Sequence, residues 1–169
     1  MSLAAAMLPE FDMEMAKTRK VIERVPDDKF DWAPHPTSMT LGRLALHVVQ
    51  VVSWAADTIT LPELDLAPAD GPEYPRPHAA NRAELLALLD KSVASARAAL
   101  AAASDEAFAH VWTLKAAGKT MFSMPRAIVV RGMILNHMIH HRAQLAVYFR
   151  MLGVPVPPIY GPSGDEGVA

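Results

Sequence analysis

The last apolar stretch of the sequence, residues 130–152, reads VRGMILNHMIHHRAQLAVYFRML. Apolar side chains recur in it at steps of three and four residues, which is the period of one face of an α-helix. His137 and His141 interrupt that apolar line four residues apart, so their imidazoles project from one face, one turn from each other. The stretch therefore predicts a helix that carries two neighbouring imidazoles, and the deciding question is whether their face points inward.

Three earlier segments show the same helical period. The first runs through residues 3–25 and ends at Pro26, because proline cannot continue a helix. The second is expected from about Thr40 to Ile59. The third opens at Asn81, and Glu84 three residues later makes a helix start close to a capping box. Together with the last stretch, these segments predict an all-α fold, namely a four-helix bundle.

The connections are less regular. Residues 62–77 contain five prolines and one glycine, which predicts neither a helix nor a central strand but a long crossover that lets helices two and three run parallel. Residues 110–122 suggest a short hairpin or an extended excursion. The last helix is expected to begin near Ser123, with Pro125 in its first turn, and to end at Gly153. The tail, residues 154–162, should lie extended along the surface.

Composition narrows the function classes. A chain of 169 residues predicts a single domain over residues 1–169, and a formal net charge of −2 makes nucleic acid an unexpected partner. The sequence has no cysteine, which excludes disulfides, thiolate metal ligands and a cysteine nucleophile. The uncharged run between Arg43 and Asp57 is too short to span a membrane, and the first residues do not resemble a signal peptide. We expect a cytoplasmic protein without membrane contacts.

A third histidine, His47, lies on the inner stripe of the second helix, beside Leu44 and Val48. A buried polar side chain needs a partner, and three inward histidines can satisfy one another by holding one metal ion. We therefore treat His47, His137 and His141 as a candidate metal triad. The alternative is a set of exposed histidines, or of core histidines with ordinary hydrogen bonds.

The sequence as a whole resembles the DinB family of bacterial damage-inducible proteins. The strongest similarity lies in HMIHHRAQL at residues 137–145 and RMLGVPVPPIYGPS at residues 150–163. Weaker similarity lies in VPDDKFDW at residues 25–32 and in HPTSMTLG at residues 35–42, which leads into His47. The similarity covers essentially the whole chain, and the combination of motifs is more specific than the pair of histidines alone.

The resemblance implies several properties. It implies a bundle with up-down-down-up order and one divalent ion on His47, His137 and His141, with water in the open positions. Zinc, nickel, iron and manganese all suit such a site and cannot be distinguished from the sequence. Homodimers are common in the family, so a homodimer is one expectation. Relatives include transferases and isomerases that use the small thiols bacillithiol or mycothiol.

Other side chains are candidates for the surroundings of the ion. Gln144 follows His141 by three residues and could orient its ring or donate to a metal-bound water. Gln50 and Trp54 follow His47 by three and seven residues and could line a pocket, although ordinary packing is the favoured interpretation for Trp54. Tyr160 lies in a loop that we expect to close one end of the bundle.

The remaining basic side chains are given other roles. Arg142 is expected to face outward or to anchor the tail. His140 should point about 100° away from His141 around the helix, towards the surface or behind the ligands. The other three histidines fall in predicted loops and are expected to be exposed; they are His35, His78 and His110.

Three neutral nitrogen ligands leave an ion its full charge and an open position, which suits two reactions on a small-molecule substrate. The ion could present the thiolate of a small thiol to an electrophile, or it could activate water for hydrolysis. The resemblance favours thiol transfer, and no carboxylate lies in register with the metal ligands. The base of a hydrolase would have to be a water positioned by glutamine, a carboxylate from a loop, or Tyr160. A non-catalytic, stress-related metal-binding protein is the third interpretation.

Overall fold

The computed structural model describes residues 2–167, so residues 1, 168 and 169 of the predicted domain lie outside the described residues. The chain is mostly helical and also contains a small sheet. In chain order its elements are α1 (Leu3–Ile22), a 3-10 turn (Asp27–Lys29), α2 (Leu41–Thr60), β1 (Glu63–Asp65), α3 (Arg82–Ala102), α4 (Asp105–Ala109), β2 (Val111–Ala116), β3 (Lys119–Pro125), α5 (Arg126–Ile128), a π-helix (Val129–Asn136) and α6 (His137–Leu152).

The helices begin where side chains can satisfy free backbone N–H groups. Thr40 accepts a hydrogen bond from the N–H of Arg43 at the start of α2. Asn81 accepts one from the N–H of Glu84 at the start of α3, as expected from the sequence. Helix α6 ends at Leu152, and Gly153 takes the left-handed conformation, with φ of 69°, that favours glycine at this position.

Side-chain contacts give the directions of neighbouring helices. Asp12 pairs with Arg97 and Arg19 pairs with Asp90, both at 2.8 Å, so α1 and α3 run antiparallel. Helices α2 and α6 also run antiparallel, because the Tyr148 hydroxyl donates to the carbonyl of Met39 while His47 lies further along α2 beside His137. Apolar side chains of all four long helices form one core. None of the described helices combines the length and the apolar character that crossing a membrane requires.

The expectation of an all-α fold was met only in part, because the mostly helical chain also contains a three-stranded sheet in the order β1-β2-β3. The hairpin suggested for residues 110–122 is present, and its strands turn at Ala117 and Gly118, whose positive φ angles suit a tight hairpin. Its buried side is formed by Trp112, which is 2% exposed and packs against Phe122. Burial of these two rings against the bundle stabilises a sheet that would be marginal alone.

Strand β1 lies inside the proline-rich crossover. It pairs in parallel with β2, with Glu63 opposite Thr113 and Asp65 opposite Lys115. The strand is only three residues long and sits at the edge of the sheet, where flanking prolines are tolerated. The crossover therefore contains no helix and no central strand, as predicted, but it does contribute to the sheet.

The start of the last helix also differs from the prediction. Ser123 and Met124 still belong to β3, where Met124 pairs with Trp112, and Pro125 precedes the helix instead of lying in its first turn. The pairing with β2 holds these residues extended, so helical structure begins at Arg126. Residues Val129–Asn136 then form a π-helix, which leads directly into α6 at His137.

Candidate metal centre

Helix α2 and the first turn of α6 bring three imidazoles together. The Nε2 atom of His137 lies 2.9 Å from Nε2 of His141 and 3.4 Å from Nε2 of His47. The potential ligand atoms of the three residues all lie within 4.8 Å of one another. His141 is buried, and the other two rings are partly buried. The structure thus brings together the three histidines that the sequence singled out.

The spacing of these atoms fits a transition-metal ion. For metal–nitrogen bonds of about 2.0–2.1 Å, two ligand atoms lie about 3.3 Å apart on a tetrahedral ion and about 2.9 Å apart at neighbouring octahedral positions. The two Nε2 distances correspond to these values. Neutral imidazole is also a ligand that zinc, nickel and iron accept. These three histidines can therefore hold a metal ion.

Gln144 fixes the proton positions of one ring. Its Oε1 atom lies 2.7 Å from Nδ1 of His141, and an amide oxygen can only accept, so Nδ1 carries the proton. In the neutral ring Nε2 then keeps a free lone pair, and that atom faces the other two histidines. The amide nitrogen of Gln144 donates to Nε2 of His140 at 3.1 Å. Gln144 thus orients the His141 ring, one of the two roles suggested from its spacing.

Burial and the neighbouring histidines favour the neutral form of two of the rings, those of His47 and His137. Burial lowers the pKa of His47 to about 4, and the neighbouring His141 and His137 add to the decrease, while the Gln50 side chain opposes it. Burial also lowers the pKa of His137, again with a contribution from His141. Neutral imidazoles are the form that binds metal, so the site is poised for ligation at neutral pH.

A polar cavity opens on the His47 side of the three imidazoles. It has a volume of about 390 Å³, and Gln50 and Trp54 both line it, although ordinary packing was the favoured interpretation for Trp54. The ring centre of Trp54 lies 6.2 Å from that of His47 and 6.4 Å from that of His137. Arg43 and Arg76 also line it, and the guanidinium of Arg76 pairs with Glu73 at 3.6 Å. This cavity can therefore attract an anionic group beside the histidines.

Tyr160, a candidate for the surroundings of the ion, is not among the residues that line the two cavities beside the histidines. Its hydroxyl donates to Oε2 of Glu14 at 2.8 Å and accepts from the Arg142 guanidinium at 2.8 Å. Arg142 is 1% exposed and pairs with Glu14 at 2.7 Å, so it does not face outward; it anchors the tail through Tyr160. The tail is thus held against the buried pair of Glu14 and Arg142. The sequence alone did not predict this pair.

The remaining histidines match their expected positions. His140 is exposed and lies behind His141, joined to it through Gln144. The three histidines expected in loops or at element ends are also exposed: His35, His78 and His110. None of these four belongs to the metal cluster found among residues 2–167.

A second cavity, which is apolar, was not predicted from the sequence. It has a volume of about 280 Å³ and lies between the π-helix and the hairpin, with Trp112, Phe122 and Met133 in its wall. His137 and Trp54 line it as well, so it reaches the metal centre at His137, and it shares Trp54 and Leu66 with the polar cavity. The alternation of large apolar residues along β2 and β3 is the sequence signal that could have indicated it.

Comparisons with known proteins agree with this architecture. Residues 1–167 match the DinB family. The chain belongs to the DinB family. An uncharacterized protein of Bacillus subtilis, YrdA, is 28% identical to this DinB protein over 166 residues, covering 94% of this chain and 89% of YrdA.

Two solved structures share the fold of this DinB protein. A DinB-like protein from Bacillus cereus superimposes with a TM-score of 0.68 at 22% identity, covering 94% of this chain and 98% of its own. A DinB-like protein from Bacillus subtilis, YjoA, gives a TM-score of 0.65 at 18% identity, covering 89% of this chain and 95% of its own. At these identities the likeness concerns the fold alone.

Proposed function

We propose that this DinB protein is an enzyme that holds one divalent transition-metal ion on His47, His137 and His141 and transfers a small thiol to an electrophile. The observation that carries the proposal is the cluster of three imidazoles, in which His47 lines a polar cavity and His137 lines an apolar one. Such an arrangement offers separate places for an anionic thiol and for a less polar second substrate.

The protein's own residues would perform distinct tasks. Three neutral imidazoles leave a bound ion its full positive charge, which favours the thiolate form of a thiol beside it. Gln144 holds the ring of His141 in the ligating tautomer. Arg43 and Arg76 of the polar cavity can pair with carboxylates of the thiol, since guanidinium binds carboxylate with two parallel hydrogen bonds.

Metal analysis tests the first half of the proposal. We expect about one transition-metal ion per chain in the purified protein and a large loss in His47→Ala and His137→Ala. His110→Ala is the matched control, since His110 is exposed and lies outside the cluster. Full metal retention in both ligand variants would exclude the site.

Thiol consumption tests the second half. The metal-loaded protein is mixed with cysteine, a carboxylate-bearing thiol, and with an aryl ketone activated for substitution, and loss of free thiol is followed. We expect consumption that depends on metal and falls at least about tenfold in Arg43→Ala, since a charged hydrogen bond contributes roughly 1.5–3 kcal/mol. Turnover of esters or amides instead would favour the hydrolase, and silence with metal bound would favour a non-catalytic metal-binding protein.

Expectations about the helix order, the assembly, the location and the biological role belong to the same proposal. We infer an up-down-down-up bundle for the long helices, supported by the antiparallel pairs α1 with α3 and α2 with α6. A homodimer is expected from the family, and sedimentation at several concentrations tests it. A cytoplasmic location and a role in stress stay predictions.

A further inference from the structure

The apolar cavity is bounded by several parts of the fold. The hairpin contributes Trp112 and Phe122, the π-helix contributes Met133, and α2 contributes Trp54 and Thr58. Its volume of about 280 Å³ exceeds the roughly 150 Å³ that suffices to hold benzene in an apolar cavity. The space can therefore hold a small molecule built on one substituted ring.

Several buried polar atoms without a hydrogen-bond partner belong to residues that line this cavity. Among residues 2–167, five buried side-chain nitrogen or oxygen atoms lack a close partner, and four of the five belong to lining residues. They are Nε1 of Trp54, Nε1 of Trp112, Oγ1 of Thr58 and Nδ1 of His137, although the His137 ring also interacts with the backbone carbonyl of Met133. Thr58 and Trp112 are almost completely buried, with exposed fractions of 0% and 2%.

Such a concentration of unpaired groups calls for an explanation. Leaving a buried donor unpaired costs roughly 1–3 kcal/mol, so native proteins keep few of them. Ordinary packing would scatter the exceptions through the core, yet here they share one cavity wall beside the candidate metal centre. These groups are buried beneath the apolar surface of the cavity, so a ligand whose acceptor atom reaches them as the side chains adjust would remove the cost when it binds.

The chemistry of these atoms defines the ligand. An indole nitrogen can only donate, and Nδ1 of His137 donates when Nε2 of that ring keeps its lone pair towards His47 and His141. Thr58 can donate as well. The ligand must therefore present acceptor atoms. None of the described residues that line the cavity is Lys, Arg, Asp or Glu, so a neutral acceptor suits it better than an ion.

We propose that the cavity between the hairpin and the π-helix binds a small apolar molecule that carries a neutral carbonyl oxygen. The carbonyl accepts from the unpaired indole donors, and the apolar body packs against Phe122 and Met133. Binding of this molecule requires only the residues of the cavity, and neither the metal ion nor the thiol. That the ligand is the electrophile of the thiol transfer rests on the proposed function, because His137 lines the cavity with one ring nitrogen and faces the metal centre with the other.

Three probes of nearly the same shape test the proposal, namely acetophenone, cumene and benzoate. Cumene replaces the carbonyl of acetophenone by a CH–CH3 group, and benzoate replaces its methyl group by a charged oxygen. Binding to the full-length protein is followed through the indole N–H resonances in 15N-labelled protein. The chain has three tryptophans, and Trp32 packs against Tyr148 away from the cavity, so its resonance is an internal control.

The expected result is specific to the two cavity tryptophans. Acetophenone shifts the indole resonances of Trp54 and Trp112 and leaves that of Trp32 in place. Cumene and benzoate bind more weakly, by about 2- to 10-fold, since one neutral hydrogen bond contributes roughly 0.5–1.5 kcal/mol. Equal affinity for cumene and acetophenone, or no shift of either cavity resonance, would overturn the proposal.

Two variants remove individual donors. Thr58→Val keeps the shape of the side chain without its hydroxyl, and Trp112→Phe keeps an aromatic ring without the indole N–H. Each is expected to weaken acetophenone binding by about 2- to 10-fold and to leave cumene binding unchanged. Trp32→Phe is the matched control. If Trp112→Phe does not fold, Thr58→Val decides, and unchanged acetophenone affinity in that variant contradicts the proposal.

A variant of the metal site separates this proposal from the function proposed above. His47 does not line the cavity, so His47→Ala is expected to lose metal and still to bind acetophenone. Loss of metal with binding retained leaves the cavity proposal standing whatever the reaction is. Normal metal content in the wild-type protein without any probe binding contradicts the cavity proposal and leaves the metal site intact.

Discussion

At the scale of single residues, His47 links metal binding to pH. Burial holds its pKa at about 4 in the metal-free protein, below the value of about 6.5 in an unfolded chain. The unfolded state therefore binds the proton more readily than the folded state. The stability from a neutral His47 is fully present above about pH 6.5 and is lost as the pH falls towards 4.

We expect the metal-free protein to lose on the order of 1–2 kcal/mol of unfolding free energy between pH 7 and 5. This figure is smaller than the full pKa shift implies, because solvent screens the partly exposed ring. Urea unfolding in the presence of a chelator measures the loss. His137 contributes in the same direction, because burial lowers its pKa too. His47→Gln should flatten the pH dependence, whereas His110→Ala should not. Stability that rises on acidification would contradict the assignment.

Tyr160 gives a second residue-level prediction. Burial raises the pKa of Glu14, but the Tyr160 hydroxyl and the Arg142 guanidinium outweigh that effect and leave it lowered. Tyr160→Phe removes one hydroxyl from this network and should cost about 1 kcal/mol. Glu14→Ala leaves the Arg142 charge buried and unpaired and should cost about 3–5 kcal/mol.

Chemical unfolding measures both costs, and metal content provides the control. Neither substitution touches the three imidazoles, so both variants should keep normal metal content after correction for folded protein. A Tyr160→Phe variant that loses its metal without losing stability would return Tyr160 to the role that the sequence suggested.

At the scale of elements, two glycines are expected to respond in opposite ways to replacement by alanine. Gly132 lies in the π-helix, and an added Cβ meets nothing within 4 Å. Gly132→Ala should therefore stabilise the protein by about 0.5–1 kcal/mol, because alanine restricts the unfolded chain. At Gly42 an added Cβ would collide with the ring of Phe30, so Gly42→Ala should destabilise. Thermal unfolding of the two variants should show transitions on opposite sides of wild type; equal shifts would refute this expectation.

The helices could be predicted from the sequence, and the sheet could not. Apolar spacing locates α1, α2, α3 and α6 because each buries one face over many turns. Strand β1 is three residues long and pairs with a segment about fifty residues away, so no local period marks it. The π-helix also escapes prediction, because its apolar spacing resembles that of an α-helix.

Some residues of the candidate site could be predicted from the sequence, and others could not. His137 and His141 could be identified because their spacing fixes their relative direction on one helix. His47 needed the inner stripe of α2 as a second observation. The position of Tyr160 depends on where the tail meets Glu14, and the role of Trp112 depends on how the hairpin packs. Both depend on contacts between residues far apart in the sequence, which local periodicity cannot predict.

At the scale of the whole molecule, the single domain predicted for the chain should unfold in one cooperative step. One apolar core joins the four long helices, and Trp112 of the hairpin belongs to it. Calorimetric and van't Hoff enthalpies should then agree for the metal-free protein. Two separate transitions, one of them assigned to the sheet by the fluorescence of Trp112, would contradict a single domain.

The candidate metal centre joins α2 to α6, so a bound ion should stabilise the entire fold. A ligand that binds only the folded state adds about 2.7 kcal/mol when its concentration is one hundred times its dissociation constant. For a chain of this size, that corresponds to a rise of about 5–10 °C in Tm.

A chelator should remove the increase at pH 7.5. Its effect should fade below about pH 6, where protons compete for the imidazoles. His47→Ala, which lacks one ligand, should melt at the same temperature with and without the chelator at either pH. A full chelator effect in that variant would mean that the ion binds somewhere other than between these two helices.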